Sequence, residues 1–339
     1  MKIQTSKLKE TLEMIRPGLA TKEMIEQSTS FAFSEGSVVT FNDELCFRAP
    51  VEGLEELTGA VQAEQFYQII NRFTTDEVVV MIKGEELQLK AGKKRAGLKL
   101  ATEIKLPFSE VEIPEKFTKL SEAFIKALKF CAPVCSKDMS SPILTAVHIT
   151  AEGLESTDRY RIAQYAVKTN FKENVLLPGE YVRAICSISP THFAISEGWI
   201  HFKNEDGIIC SARLIEGAEN FPKTSPLLNV DGVENVFPTD VIEALESAEV
   251  FGKADYEIDS QVDIIFKPGK MTMESSGEFG WYREVLPTEY KGEEMQFGVT
   301  PSLLRYILRQ NLTFIKTSEA LFFKTENWKY LTMLKRHTK

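Results

Sequence analysis

Three times along the chain, an amphipathic stretch at helical spacing gives way to short alternating stretches, and then the whole order recurs. The leading stretches are TSKLKETLEMI (5–15), SEAFIKALKFC (121–131) and PTDVIEALESA (238–248). In each, apolar residues fall at i, i+4 and i+7: Leu8, Leu12, Ile15; Phe124, Leu128, Cys131; Val241, Leu245, Ala248. That spacing lays them along one face of a 3.6-residue helix. A second helical stretch follows each: AEQFYQIINRF (63–73), PGEYVRAICSI (178–188) and TPSLLRYILRQ (300–310). Their stripes are Phe66, Ile69, Ile70, Phe73, then Tyr181, Ala184, Ile185, Ile188, and in the third copy Leu303, Tyr306 and Ile307. Pro178 and Pro301 stand where a helix start tolerates proline, and Thr300 is predicted to cap the last helix.

After each second helix the period changes from 3.6 to 2. ELQLKAGKKRAGLKL (86–100), WIHFKNEDGIICSARL (199–214) and ALFFKTENWKYLTML (320–334) alternate, turn at a polar segment and alternate again, the pattern of paired strands. Lys90, Lys203 and Lys324 occupy matching places. Between the helices lie further short strands such as STSFAFS, TAVHIT and VDIIFK. The pattern predicts an α+β chain of three tandem copies, each with two helices packed on antiparallel sheets. A copy takes roughly 113 residues, with domains at 1–113, 114–224 and 225–339. Linkers are predicted near 110–120 and in the proline-rich 221–238.

Hydrophobic residues make up 43% of the 339, enough for packed cores. The opening MKIQTSKLKE is polar, so no signal peptide is expected, and no apolar run approaches the roughly 18 residues of a membrane span. Five scattered cysteines suit a reducing compartment better than a disulfide framework. CAPVC (131–135) is C-x3-C without a second pair, which reads as structural. The net charge of −9 argues against a simple nucleic-acid binder but leaves room for basic groups gathered on one surface.

Catalytic patterns are missing from the sequence. His148, His192, His201 and His337 form no H-x-x-x-H or H-E-x-x-H pair, and His148 and His201 read as strand residues. GKKRAGLK (92–99) lacks the Gly-Lys-Ser/Thr ending of a phosphate loop and reads as a basic turn into a strand. No G-x-G-x-x-G or G-x-S-x-G occurs. The crowded STDRYRIA (156–163) leaves two readings open. Asp158 with Arg159 or Arg161 is either an active-site pair or a structural ion pair.

Four segments carry a resemblance: MKIQTSKLKETLEMI at the start, SSPILTAVHITAEGLESTDRYRIA, IICSARLIEGAENFP, and YLTMLK near the end. Over its whole length the chain resembles the bacterial-type β sliding clamps, the processivity subunits of DNA polymerase III. Family members usually read ATDGHRLA where this chain has STDRYRIA, and end near MPMRL where this one has MLKRHTK. Such divergence would suit a phage-encoded clamp.

The resemblance implies three clamp domains per chain and a homodimer closed head to tail into a ring around duplex DNA, bound without sequence preference. It implies a DNA polymerase and a clamp loader as partners, and neither catalysis, cofactor, metal nor membrane. It also implies a cytoplasmic location, in the host for a phage protein. The implied dimer contact sets Val250 and Phe251 against Ala96 and Leu98. The implied pocket for client peptides takes Thr157, Arg159, Tyr160, Arg161 and Ile162 from one strand, Pro226 from the linker, and Met333 and Leu334 from the C-terminal strand. Arg161 would donate to a peptide carbonyl, and the departures at Arg159 and Tyr160 would narrow the pocket or change the preferred client.

In that family the helices line the hole, where weak phosphate attraction is needed. The six helical segments together carry zero formal charge, so the remainder carries all of the −9. Lys7, Lys9, Arg72, Lys126, Lys129, Arg183, Arg305 and Arg309 are the candidate DNA-facing residues. The fifth segment, with Asp240, Glu243 and Glu246, is acidic and departs from that expectation. The competing reading is a non-enzymatic structural or assembly protein built of repeated α+β modules.

Overall fold

The computed structural model describes residues 1–335, and His337 lies outside the described residues. Six helices form at the six predicted stretches: α1 (Thr5–Ile15), α2 (Ala63–Asn71), α3 (Phe124–Cys131), α4 (Val182–Ser187), α5 (Val241–Gly252) and α6 (Pro301–Leu308). The predicted stripes of α1, α3 and α5 are buried. In α6 the buried stripe is Leu304, Ile307 and Leu308, while Leu303 and Tyr306 are only half-buried. Tyr306 sits at the flank because its hydroxyl donates to the Phe130 carbonyl at 2.7 Å. Pro301 opens α6 as expected, but Thr300 makes no side-chain cap. Its hydroxyl donates instead to the Ile258 carbonyl at 3.2 Å. Among the described residues, no helix is long and apolar enough to cross a membrane.

The chain divides into two compact units, one of residues 1–129 and 169–218, the other of 130–168 and 219–339. In the first, a four-stranded antiparallel sheet runs Lys2–Gln4, Glu77–Lys83, Glu86–Ala91, Lys94–Lys99. An eight-stranded sheet runs Gly59–Gln62, Ser30–Ser34, Ser37–Phe41, Leu45–Pro50, Ile209–Arg213, Trp199–Lys203, His192–Ser196, Thr118–Lys119. Helices α1 and α2 pack together against these strands. Phe66 of α2 meets Phe31 and Phe33 edge-on at 6.0 and 5.6 Å. These rings exclude water and interlock, which fixes the helix over its strands.

In the second unit, one sheet runs Ala146–Ile149, Gly153–Thr157, Arg161–Ala166, Trp328–Met333, Ala320–Lys324, Thr313–Lys316, Glu234–Val236. The other runs Gly280–Pro287, Lys270–Gly277, Val262–Lys267, Met295–Val299. Helices α5 and α6 pack together, and α5 lies on the second sheet. Phe237 stacks on Phe314 at 4.2 Å, with Phe266 and Phe297 beside them. Tyr330 is fully buried, its hydroxyl donating to the Leu303 carbonyl of α6 at 3.0 Å.

Neither predicted linker is loose chain. Val111 and Leu120 are buried, and so are Phe221, Leu228 and Phe237. The buried apolar residues of 221–238 lack a period because they anchor at different places, Phe221 on His148, Leu228 under Ile162 and Phe237 on Phe314.

Strand histidines proved to be packing elements. His201 is fully buried in the eight-stranded sheet, Nε2 meeting Ser196 Oγ at 2.8 Å and Nδ1 meeting Ser211 Oγ at 2.7 Å. Burial pushes its pKa down from 6.5 to about 4. Between those pH values the unfolded chain binds the proton and the folded one does not, so His201's contribution is complete above pH 6.5 and declines as pH falls to 4. At about 1.4 kcal/mol per pH unit the loss approaches roughly 3 kcal/mol. Urea unfolding of wild type and His201→Gln should show a stability difference that shifts in the variant's favour by that order between pH 7 and pH 4. A difference independent of pH would mean that His201 titrates normally.

Candidate functional site

The DRY segment is a tight turn joining two strands in register, Thr157 opposite Ile162. Asp158 builds the turn. Its Oδ1 accepts the Tyr160 and Arg161 N–H groups at 3.0 and 2.7 Å, and its Oδ2 meets Arg161 Nε at 2.9 Å and Nη2 at 2.7 Å. Arg161 Nη2 also donates to the Pro133 carbonyl at 3.1 Å. The Thr157 hydroxyl donates to the Arg161 carbonyl at 2.7 Å. Both partners of the Asp158–Arg161 pair expose only 12% of their side chains. The two open readings therefore resolve toward a structural ion pair, with the guanidinium committed to the turn and to Pro133. Arg159 closes the turn with φ +76, a left-handed conformation that favours glycine. Its Nη2 reaches Ser141 Oγ at 2.6 Å.

Beside this turn lies a cavity of about 450 Å³. The strand Arg161–Ala166 pairs with Trp328–Met333, Ile162 opposite Leu331, and Ala320 lies opposite Met333. Ile162, Leu331 and Ala320 form an apolar floor, with Leu144, Leu227, Val230, Tyr160 and Met333 around it. Thr157, Arg159, Lys223, Thr224, Thr317 and Glu319 supply the polar part of the lining. Beneath the floor Ile162 and Leu331 pack with Leu228, Ile315 and Phe322. The Met333 N–H donates to the Tyr160 carbonyl at 2.9 Å, tying the turn to the C-terminal strand.

The wall contributed by 222–230 is held by a buried polar chain. Glu155 bridges His148 Nδ1 at 2.9 Å and the Thr224 hydroxyl, while the His148 ring stacks on Phe221 at 4.6 Å.

Of the expected pocket residues, Thr157, Arg159, Tyr160, Ile162 and Met333 line this cavity, whereas Arg161, Pro226 and Leu334 do not. Strand alternation explains two of the departures. Neighbours on a strand face opposite ways, so Ile162 excludes Arg161 and Met333 excludes Leu334. Pro226 belongs to the 3-10 turn Ser225–Leu228, which turns Leu227 to the cavity and buries Leu228. Leu331 was legible from Met333 by the period of two. The remaining walls had no local signal.

The basic candidates separate. Lys7, Arg72, Lys126, Lys129 and Arg183 are exposed in the first unit. Lys9 Nζ is drawn to the Phe73 carbonyl at 2.7 Å. Arg305 pairs with Glu249, and Arg309 Nη2 lies 3.5 Å from Glu246. The acidic side chains of α5 thus pair with the arginines of α6, Arg305 half-buried and Arg309 still 62% exposed.

Ala96 and Leu98 are half-buried on Lys94–Lys99, the terminal strand of its sheet. Val250 is exposed at the end of α5, and the half-buried Phe251 places its ring over Gly280. Gly280–Pro287 is also a terminal strand, and Phe279 and Trp281 beside it are 92% and 72% exposed.

Two thiols lie near the turn, Cys131 buried and Cys135 half-buried. Burial holds Cys131 well above its ordinary pKa and pushes Cys135 up to about 12, with Asp158 adding to the rise. Among the described residues no cluster of His, Cys, Asp or Glu could hold a metal ion.

The chain has the sliding-clamp fold. It superposes on the DNA polymerase sliding clamp of Bacillus subtilis with TM-score 0.80 at 17% identity, covering 99% of this chain and 98% of that one. The DNA polymerase III beta chain of Streptococcus pneumoniae matches with TM-score 0.82 at 19% identity, with 99% of each chain covered. The DNA polymerase III subunit beta clamp of Pseudomonas aeruginosa bound to griselimycin matches with TM-score 0.81 at 15% identity, again over 99% of each. No protein-family profile and no curated protein matches the sequence.

Breaking a buried pair by removing one partner costs about 3–5 kcal/mol, whereas exposed pairs are worth about 0–1 kcal/mol. Asp158→Ala should therefore destabilise the second unit by the larger amount, and Asp43→Asn, which removes the charge of the exposed partner of Arg213 in the first unit without straining the left-handed backbone at 43, should destabilise that unit by the smaller. Hydrogen exchange of the Tyr160 and Arg161 amides in the Asp158 variant, and urea unfolding of the Asp43 variant, check this. Unchanged protection in Asp158→Ala would mean that the turn stands without its carboxylate.

Proposed function

We propose that the chain is a DNA sliding clamp. In this reading it encircles duplex DNA, tethers a replicative polymerase and docks clients by short peptide motifs, without catalysis of its own. Whole-chain correspondence with sliding clamps from several bacteria carries the reading. The three repeats, taken as domains 1–113, 114–224 and 225–339, supply half of a six-domain ring, and a second copy completes it. A clamp loader would open that ring, and replication places the protein in the cytoplasm.

Ring closure is supported by two open sheet edges. Lys94–Lys99 presents Lys94, Arg95 and Lys99 around Ala96 and Leu98, whereas Gly280–Pro287 follows Glu278 and carries Glu284, the exposed Trp281 and Arg283, the last paired with Glu274 at 3.1 Å. Opposite charge and unpaired backbone suit strand addition between copies, covering Val250 and Phe279 as well. Lys7, Arg72, Lys126, Lys129 and Arg183 carry the phosphate attraction, with little from the neutralised α5–α6 pair. The expected solution mass is that of a dimer. Loaded protein should stay on nicked circular duplex through a high-salt wash and leave once that DNA is cut. Equal retention on linear and circular DNA, or a monomer at micromolar concentration, would exclude the ring.

For the client pocket, Ile162, Leu331 and Ala320 suit an apolar anchor, and Met333 adapts to varied side chains. A labelled peptide from the C-terminus of the cognate polymerase should bind at micromolar concentration. The Ile162→Asp, Met333→Ala double variant should lose at least about 1–2 kcal/mol, the scale of a buried anchor. Equal affinity in a folded, dimeric variant would put the client site elsewhere.

A further inference from the structure

A second groove, larger than the client cavity, lies in the same unit and is absorbed by none of the roles above. It holds about 940 Å³ between residues 233–240 and 287–295. One wall contains the terminal strand Glu234–Val236, which pairs on one side only, with Thr313–Lys316. The Phe237 N–H donates to the Leu312 carbonyl at 3.0 Å, so by antiparallel parity residues 235 and 237 face the neighbouring strand. The N–H and C=O groups of Glu234 and Val236 therefore point away from the sheet, and among the described residues they have no partner.

The corresponding strands of the other two repeats, each leading into the first helix of its copy, differ at this place. At Lys2–Gln4 the outward Lys2 carbonyl is crowded by Gly53, whose Cβ, if present, would lie 2.6 Å from it. At Thr118–Lys119 the outward Lys119 carbonyl accepts from Asn170 Nδ2 at 3.3 Å. In the third copy the edge faces the groove, and there Val233 stands 80% exposed beside it. This edge is short and carries Glu234, so a strand that pairs with it has to match it in charge.

We infer that Glu234–Val236 is a strand-addition site for an extended, basic segment of another protein with alternating apolar residues. Glu234 lies 3.6 Å from Lys324, which leaves Asp240, Glu289 and Glu293 against Lys291 and Lys316, an acidic excess that favours a cationic guest. Val236, Pro238, Tyr290 and Met295 offer apolar contacts for every second side chain, while the edge supplies the backbone bonds.

The probe is a fluorescein-labelled Lys-Val octapeptide, with its Glu-Val counterpart and a version N-methylated at alternate residues to block one edge. Anisotropy titration of the full chain should show saturable Lys-Val binding, at least tenfold weaker for the methylated and Glu-Val peptides. Val236→Pro removes only the outward N–H, which edge positions tolerate, and should weaken binding at least tenfold. Glu289→Lys with Glu293→Lys should weaken it by a similar factor and flatten its salt dependence. Ile162→Asp, in the client pocket, should leave it unchanged, which separates this site from the one proposed above. Equal binding of the Lys-Val and Glu-Val peptides, insensitivity to methylation and to Val236→Pro, loss with Ile162→Asp, or self-association of the chain through this edge in place of peptide binding would each overturn the inference.

Discussion

Long-range antiparallel pairing is the constraint on which the rest depends. In the second unit Arg161–Ala166 accepts Trp328–Met333 as its neighbour, and in the first Leu45–Pro50 accepts Ile209–Arg213. Each pairing joins strands from different repeats of the sequence, and each extends a sheet across what would otherwise be two open edges. Register matters as much as adjacency. With Ile162 opposite Leu331, and Ala320 opposite Met333, apolar side chains from three strands share one face. A slip of one residue would put Arg161 and Thr332 on that face and remove the floor.

On this framework polar groups do the local positioning. Asp158 accepts from two backbone amides and the Arg161 side chain, so it fixes a turn whose backbone holds Arg159 in a left-handed conformation. Glu155 reaches His148 with one oxygen and Thr224 with the other, which pins the 221–230 stretch as a wall. These charged and polar residues occupy places where an acid–base site could be imagined. Their partners are already assigned, and what they produce is shape.

The same distinction applies to charge. Glu246 and Glu249 on α5 look, as sequence, like an obstacle to binding an anion. In the fold they answer Arg309 and Arg305 on α6. Formal charge along a helix therefore overstates what a ligand would meet, because partners arrive from an element distant in sequence. Free cationic side chains remain on the first unit's helices, where Lys7, Arg72, Lys126, Lys129 and Arg183 are exposed.

The six helices and the paired strands that follow each second helix were legible in the sequence, because their hydrophobic periods are local and a helix or hairpin needs only near neighbours to bury one face. Part of the cavity was legible too: Thr157, Arg159, Tyr160, Ile162 and Met333, through the resemblance of STDRYRIA and the C-terminal strand to known segments. Which neighbours share a face was not. Leu334 and Arg161 are adjacent in sequence to lining residues, and the pleat turns them away. Leu144, the pair Leu227 and Val230, and Ala320 enter from three separate places, and 221–230 looked unstructured because its buried residues, Phe221 and Leu228, anchor apart. Sequence alone determined the repeated elements, since their periods are written in consecutive residues. Tertiary structure decided the cavity, the pairing of the α6 arginines and the groove beside Glu234–Val236, since each depends on which distant backbone or charge arrives alongside.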